Sequence, residues 1–414
     1  MEDSKKGYRS DIPGTPALGR VVGVANQLPA CFLLLLAMDF LSRTGYQMGK
    51  SPVLPLFASA LGAGTGVSGI IVAVSTTTGL VTSPLIGTLS DLYGRRRLLI
   101  VGTALFAFMP FVYLFIQTPT QLILVRLVHG FSTAIYGPVV AALVADLFQQ
   151  RRAEYMGWYR SVRTASYLVG PLLGGLVLVY ADFRLAWVSV GALGLLALLP
   201  AMALPRAPEP PAGARRSSTT LRFVRQHLLE AFRSPVLLAM GVVEAVLYLG
   251  LRANKAFLPL YAVSIGINPA QIGALFSVQV AATLLAQPLG GYLADRMGRK
   301  PIVLAGLLAV GMGLPLMVTT QNLSVLVLLS IALGLGEAAV MPCILTLGTE
   351  LSGKGQYGST LGMLDAMDNV GKAMGPIVAG LLLGLFSYPI SFAIIAGILV
   401  AVAILFCTIV RDIG

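Results

Sequence analysis

Five acids and eight bases fall inside stretches of this chain that are otherwise too apolar to hold them. The acids are Asp39, Glu244, Glu337, Asp365 and Asp368; the bases are Arg43, Lys50, Arg126, Arg160, Arg163, Arg252, Lys255 and Lys372. A charge surrounded by hydrocarbon is costly, and inside a membrane it marks a pathway, a proton relay or a ligand site. Glu244 and Glu337 have no basic residue three or four positions away. Desolvation favours the protonated form of an unpaired carboxyl, which is the property a proton carrier needs. Asp39 is a proton-coupling candidate on a par with Glu244 and ahead of Glu337, with Arg43 or Arg126 as partners able to hold it ionised. Asp39 and Arg43 are four residues apart, as are Asp368 and Lys372, so each pair shares a helix face. For Asp368 and Lys372, structural pairing is the better reading. Arg160 and Arg163 are three apart: they can grip an anionic substrate group or balance acids from other helices. The substrate-cavity candidates are therefore Arg43, Arg126, Arg160, Arg163, Asp365 and Asp368, with Tyr136 and Tyr248 as aromatic lining. His129 reads as a packed neutral side chain rather than a titrating one.

The elements that position these groups are long and apolar. The 414 residues are 56% hydrophobic and 11% charged, with a mean hydropathy of +0.84. A soluble domain carries roughly a quarter of its residues charged. Apolar runs near the ~20 residues that cross a bilayer recur along the chain. Twelve candidate spans stand at 28–50, 66–90, 97–116, 120–149, 153–180, 183–204, 234–263, 269–292, 300–319, 323–349, 356–384 and 387–410. Membrane barrel strands are short and alternating; these runs are continuous, which predicts helices. Residues 1–27 form a polar N-terminal segment, 28–204 a first six-helix bundle, 205–233 a basic linker and 234–414 a second bundle with a short tail. The first apolar run lacks a cleavage site and reads as a retained helix.

The net charge of +12 is orientation chemistry and not a nucleic-acid footprint. Of the 29 Lys and Arg, 20 fall in loops on one side, eight within spans, and Arg184 alone on the other side. That asymmetry places both termini in the cytoplasm and the chain in the cell membrane. Cys31, Cys343 and Cys407 all sit in apolar segments and predict packing; no Cys/His cluster suggests a metal site. No phosphate-binding loop supports ATP-driven pumping. The chain reads as no enzyme and needs no cofactor beyond an ion gradient, of protons.

A short string occurs twice. GTLSDLYGRRR at 87–97 returns as GYLADRMGRK at 291–300, so Gly87, Asp91, Gly94 and Arg95 match Gly291, Asp295, Gly298 and Arg299 at an offset of 204. Asp146 matches Glu350 at the same offset. Gly157, Gly170 and Pro171 match Gly362, Gly375 and Pro376 at 205, and VLPLFA at 53–58 is similar to FLPLYA at 257–262. With six spans in each, the halves run in the same sense and are related by an axis along the membrane normal. At offset 205, Arg160 stands opposite Asp365 and Arg163 opposite Asp368, so a cavity between the halves is cationic on one wall and anionic on the other.

At this level the chain resembles the major facilitator superfamily over nearly its whole length, and within it the twelve-span drug/proton antiporter group. The duplicated loop carries the resemblance, with Arg126 four residues before Gly130 in span 4. Span 5 holds Gly157, Ser166, Gly170, Pro171, Gly174 and Gly175, similar to the antiporter motif; Ser166 stands where a glycine is usual. Span 11 repeats the pattern with Gly371, Gly375 and Pro376. The resemblance implies an all-α membrane protein of two six-helix bundles with pseudo-two-fold symmetry, working by alternating access. It also implies an inner-gate network of Gly87, Asp91, Gly94, Arg95 and Asp146, repeated by Gly291, Asp295, Gly298, Arg299 and Glu350. A solvated turn that only sets orientation is the plainer account of those loops. The small residues of spans 5 and 11 serve either as a gate or as ordinary close packing.

The reading is proton-coupled export of a small organic compound by a chain that functions as a monomer in the lipid bilayer. Import of an anionic or zwitterionic metabolite with protons is the alternative, and a receptor that binds without transporting is a more distant one.

Overall fold

The computed structural model describes residues 29–205, 234–351 and 357–409. The described residues fold into twelve long helical passages. The first, α1, runs Ala30–Met48, passes through a π-helical turn at Gly49–Val53 and continues as Leu54–Ala60. The first bundle continues with α2 (Thr65–Tyr93), α3 (Arg95–Val112), α4 (Pro119–Leu147), α5 (Arg152–Tyr180) and α6 (Phe183–Ala203). The second comprises α7 (Pro235–Ser264), α8 (Pro269–Met297), α9 (Arg299–Met317), α10 (Leu323–Leu351), α11 (Tyr357–Leu385) and α12 (Tyr388–Ile409). In hydrocarbon every backbone polar group must find its partner inside the segment, and a helix achieves that.

Ten of these helices are long and apolar enough to cross a membrane by length and composition. The other two are α1 and α11, which carry Asp39, Arg43 and Lys50, and Asp365, Asp368 and Lys372. Within them Asp39, Arg43 and Asp368 are buried. Leu85, Phe108, Phe115, Leu285 and Leu328, by contrast, are more than half exposed, as a lipid-facing surface requires.

The turns repeat between halves. Gly94 alone joins α2 to α3 with φ of 89°, and Gly298 alone joins α8 to α9 with φ of 85°. Both lie in the left-handed region that glycine tolerates without steric cost. At the opposite end, Gly62 and Gly266 turn with φ of 81° and 84°, again 204 residues apart. Side chains start several helices: Thr118 and Gln121 form a reciprocal cap on α4, Asn268 and Gln271 do so on α8, and Asp182 accepts from Leu185 N at 2.8 Å to start α6. Such caps satisfy donors that the first turn leaves orphaned.

One boundary departs from the sequence expectation. The sequence reading puts span 1 at 28–50; the helix instead continues to Ala60. The π turn absorbs Pro52, with Ser51 at φ −156° and ψ 125°, and helical geometry resumes at Leu54. π turns insert one extra residue into a helix and recur at functional sites. The resemblance of VLPLFA to FLPLYA, which lies inside α7, was the signal that α1 should run on.

The halves meet along α2 with α11 and α5 with α8. Added Cβ atoms show how closely: one on Gly175 would strike the backbone of Pro269 and Ala270, and one on Gly380 the backbone of Thr65 and Gly66. Ser277 Oγ also donates to Leu168 O at 2.6 Å across the same seam. All of these contacts lie toward the end away from the basic loops. Toward the basic end, Gly87 in α2, Gly157 in α5 and Gly291 in α8 have nothing within 4 Å of an added Cβ. At the end away from the basic loops the two halves are in direct backbone contact.

Candidate functional site

A cavity lies between the halves, bounded by α1, α2 and α5 on one side and α7, α8 and α11 on the other. Ten of its twelve lining residues form five repeat pairs. Lys50 of α1 corresponds to Lys255 of α7, and Gln47 to Arg252, both at offset 205. Tyr167 of α5 corresponds to Lys372 of α11, and Pro171 to Pro376. Val72 of α2 corresponds to Phe276 of α8 at offset 204. A cavity built from equivalent residues of both halves sits on the pseudo-two-fold axis. The break in α1 supplies Lys50 and Ser51, since both fall within the π turn.

The charges of the lining are one-sided. Lys50, Arg252, Lys255 and Lys372 are basic, and no acid lines the cavity. Lys372 Nζ pairs with Asp368 Oδ2 and lies 4.4 Å from the centre of the Tyr248 ring. Lys50 Nζ reaches Thr76 Oγ1 at 3.4 Å and stands 5.4 Å from the Tyr46 ring centre. Glu337 comes within electrostatic range of Lys255 but accepts its hydrogen bond from Thr283 Oγ1, at 3.3 Å.

The proton-coupling candidates occupy different surroundings. Asp39 is fully buried, 3.7 Å from Arg43 Nε, with Arg163 and Tyr159 in electrostatic range. Glu244 is buried in α7, makes no ion pair among the described residues, and its Oε2 has no hydrogen-bond partner. The charged neighbours that bear on it are Asp368, Asp365 and Lys372.

Other candidates separate by location. Arg126 is buried in the first bundle, donating from Nε to Ile71 O at 3.4 Å and from Nη2 to Ser75 Oγ. Tyr136 is also fully buried there, with its hydroxyl 2.7 Å from Ser42 Oγ and 2.5 Å from Thr103 Oγ1. Neither borders the cavity. His129 is packed, as its sequence context suggested, with Nδ1 3.1 Å from the Tyr113 hydroxyl. Arg160 and Asp365 are exposed, and Arg160 and Arg163 lie in electrostatic range of Asp365 across the halves. Arg163 Nη1 reaches the Tyr159 hydroxyl at 3.4 Å.

At the basic end, Arg95 Nη1 meets Asp146 Oδ2 at 2.5 Å, and the two terminal guanidinium nitrogens of Arg299, Nη1 and Nη2, pair with Glu350. Each pair ties the start of one helix to the end of the next within a single half. Asp295 is exposed and in electrostatic range of Arg299; the side chain of Asp91 lies outside the described residues. The antiporter-like glycines divide their work. Gly170 and Gly174 bring α5 against α1 at Thr44, Gln47 and Met48, and Gly371 and Gly375 bring α11 against α7 at Ala245 and Leu249. Gly175 and Pro171 face α8 across the seam. Ser166 Oγ donates back to Arg163 O at 2.6 Å, so its hydroxyl needs no outside partner.

Sequence reasoning noticed Lys50, Arg252, Lys255 and Lys372 as buried bases without assigning them to one cavity. The available signal was positional: Gln47 and Lys50 in α1 recur as Arg252 and Lys255 in α7, three residues apart in each helix.

The family model described as Major Facilitator Superfamily matches residues 33–254 and 240–413. An uncharacterized MFS-type transporter of Methanocaldococcus jannaschii is 25% identical over 362 residues, covering 84% of this chain and 92% of that protein. The quinolone resistance protein NorA of Staphylococcus aureus is 26% identical over 349 residues, covering 80% and 84%. Among solved structures, the nucleoside transporter NupG superposes with a TM-score of 0.78 at 17% identity, covering 93% of this chain and all of that one. The peptide transporter POT superposes with a TM-score of 0.73 at 16% identity, covering 92% and 94%. At those identities the structures speak for the fold alone.

Proposed function

The chain belongs to the major facilitator superfamily, a family of secondary transporters, and on that premise we propose that it couples proton entry to export of a small organic compound. The observation that carries the proton step is Glu244, a carboxyl buried close to the cavity with no ion-pair partner among the described residues. Asp39 is the second carrier. A proton arriving from outside neutralises one of these acids, the site's electrostatics change, and substrate leaves; loss of that proton on the inner side resets the site. Export draws support from the relative named for quinolone resistance, since a transporter protects a cell from a drug by carrying it out. The glycine-lined seam of α5 with α1 and α8 supports the same group.

The positive loops support a cell-membrane protein with both termini in the cytoplasm, and the reading takes it to act as a monomer. In that orientation the close seam between the halves faces outward, which supports a state that loads substrate from the cytoplasm. The arrangement of Arg95–Asp146 and Arg299–Glu350 supports an inner gate whose cross-half contacts are released in this state.

Reconstitution in liposomes with an imposed pH gradient tests the reading. Substrate should accumulate on the side that corresponds to export. Full gradient-driven transport by both Asp39→Asn and Glu244→Gln would remove the proton roles. Accumulation in the opposite direction would establish the import alternative, which the basic cavity favours.

A further inference from the structure

The central cavity selects its cargo by charge, and we infer that the transported compound is an organic anion: a carboxylate or phosphonate head on an apolar body. This rests on the transporter reading but not on the direction of transport or the coupling ion. Four basic side chains line the space, and of these only Lys372 is neutralised by an ion pair. Lys50, Arg252 and Lys255 make no ion pair among the described residues. Three cations held together in a low-dielectric cavity repel one another, and burial strips them of water. An anion entering among them relieves both penalties, and charge-assisted hydrogen bonds are the strong ones.

The repeat sharpens the point. In each pair whose charge differs between halves, the second half is the more basic: Arg252 stands where Gln47 does, and Lys372 where Tyr167 does. The Tyr167 side chain lies in electrostatic range of Arg163, Arg43, Arg252 and Lys372, so its hydroxyl oxygen sits in a positive field and accepts from Arg163. Ser51, 6% exposed, has a hydroxyl with no hydrogen-bond partner at the same lining. Opposite these polar groups, Val72, Phe276, Pro171 and Pro376 form apolar wall. The acids that would hold a cationic drug lie elsewhere: Asp368 is committed to Lys372, and Glu244 does not line the space.

The field can be read directly with a cysteine at Thr76, on the cavity wall, in protein whose three native cysteines are replaced by alanine. Purified in detergent, Thr76→Cys is labelled with an anionic (sulfonatoethyl) or a cationic (trimethylammonioethyl) methanethiosulfonate, each rate normalised to free cysteine. The anionic reagent should react at least about tenfold faster than the cationic one, as a focused positive potential requires. Lys50→Gln with Lys255→Gln should bring the ratio toward one, and Lys50→Arg with Lys255→Arg should keep it. Millimolar 4-phenylbutyrate should slow labelling more than 4-phenylbutylamine, which shares the apolar body and reverses the charge. A rate ratio at or below one, or protection by the amine equal to that by the carboxylate, overturns the assignment. Anion selectivity with no gradient-driven transport would instead count against the proton-coupled reading alone.

Discussion

The carbonyl of Pro171 in α5 lies against the Cα of Gly273 in α8 so closely that the glycine has no room for a methyl group. Across the pseudo-two-fold, the carbonyl of Pro376 in α11 lies in the same way against Gly69 in α2. The seal is one contact written twice, with both prolines also on the cavity wall. Small residues at helix crossings are what permit such approach in lipid, where packing and not hydrophobic burial drives association.

Gly273→Val should therefore unseat the far end without unfolding either bundle, because the clash lies between halves. The expected outcome is a shift of population away from the sealed state and at least a tenfold loss of transport, the cost of about 1.4 kcal/mol in that equilibrium. A cysteine placed at Ser277 should become about tenfold more reactive toward reagent supplied from the far side in this background. Unchanged reactivity would show that the seam does not close the pathway.

Asp146 and Glu350 are each about half exposed, at 51% and 50%, so their bridges to Arg95 and Arg299 are surface pairs. Their worth to stability is below about 1 kcal/mol. Asp146→Asn and Glu350→Gln should each move the melting temperature by no more than about 4 °C, since the chain is large and the pairs are screened by water. If they belong to a gate that re-forms across halves, transport should fall several-fold with that small change in stability. Equal loss of stability and transport would make them simple staples.

Tyr136 separates packing from binding. Its hydroxyl bridges Ser42 and Thr103, and its ring lies edge-on to Phe106 at a centroid distance of 4.9 Å. Tyr136→Phe keeps the ring and removes the bridge, which should cost about 1–2 kcal/mol of stability. Substrate KM should stay within about twofold, because the side chain does not border the cavity. A KM increase of tenfold with unchanged melting would place Tyr136 in the substrate path.

Much of the architecture was legible because it depends on composition and repetition. Long apolar runs need helices, and the duplicated loop announces two halves; Gly94 and Gly298 take the left-handed turns that their positions imply. Spacing also foretold which charges share a helix face: Asp39 meets Arg43, and Lys372 meets Asp368. What sequence could not supply was direction across helices. Tyr136 and Tyr248 look alike in a one-dimensional pattern, yet one is locked inside a bundle and the other lies under Lys372. The π turn was hidden for the same reason: a Pro after a polar Gly-Lys-Ser reads as a stop, and only packing against α6 and α5 lets α1 resume. Gly49 approaches Trp187 there, with 2.9 Å between an added Cβ and the ring.

Asp39 and Glu244 should fail in different ways. Asp39→Asn leaves Arg43 buried, at 4% exposure, without the carboxylate 3.7 Å away. Orphaning a buried charge costs about 3–5 kcal/mol, so this variant should be visibly less stable, and a second change at Arg43 to Gln should restore part of the loss. Glu244→Gln removes no ion-pair partner and substitutes a neutral group of the same shape for the protonated acid. Its melting temperature should hold, and counterflow exchange, which needs no net proton movement, should stay within about threefold of wild type. Accumulation driven by a pH gradient should fall at least about tenfold. Retained accumulation with retained counterflow would move the coupling proton from Glu244 to another group, with Glu337 the next to substitute.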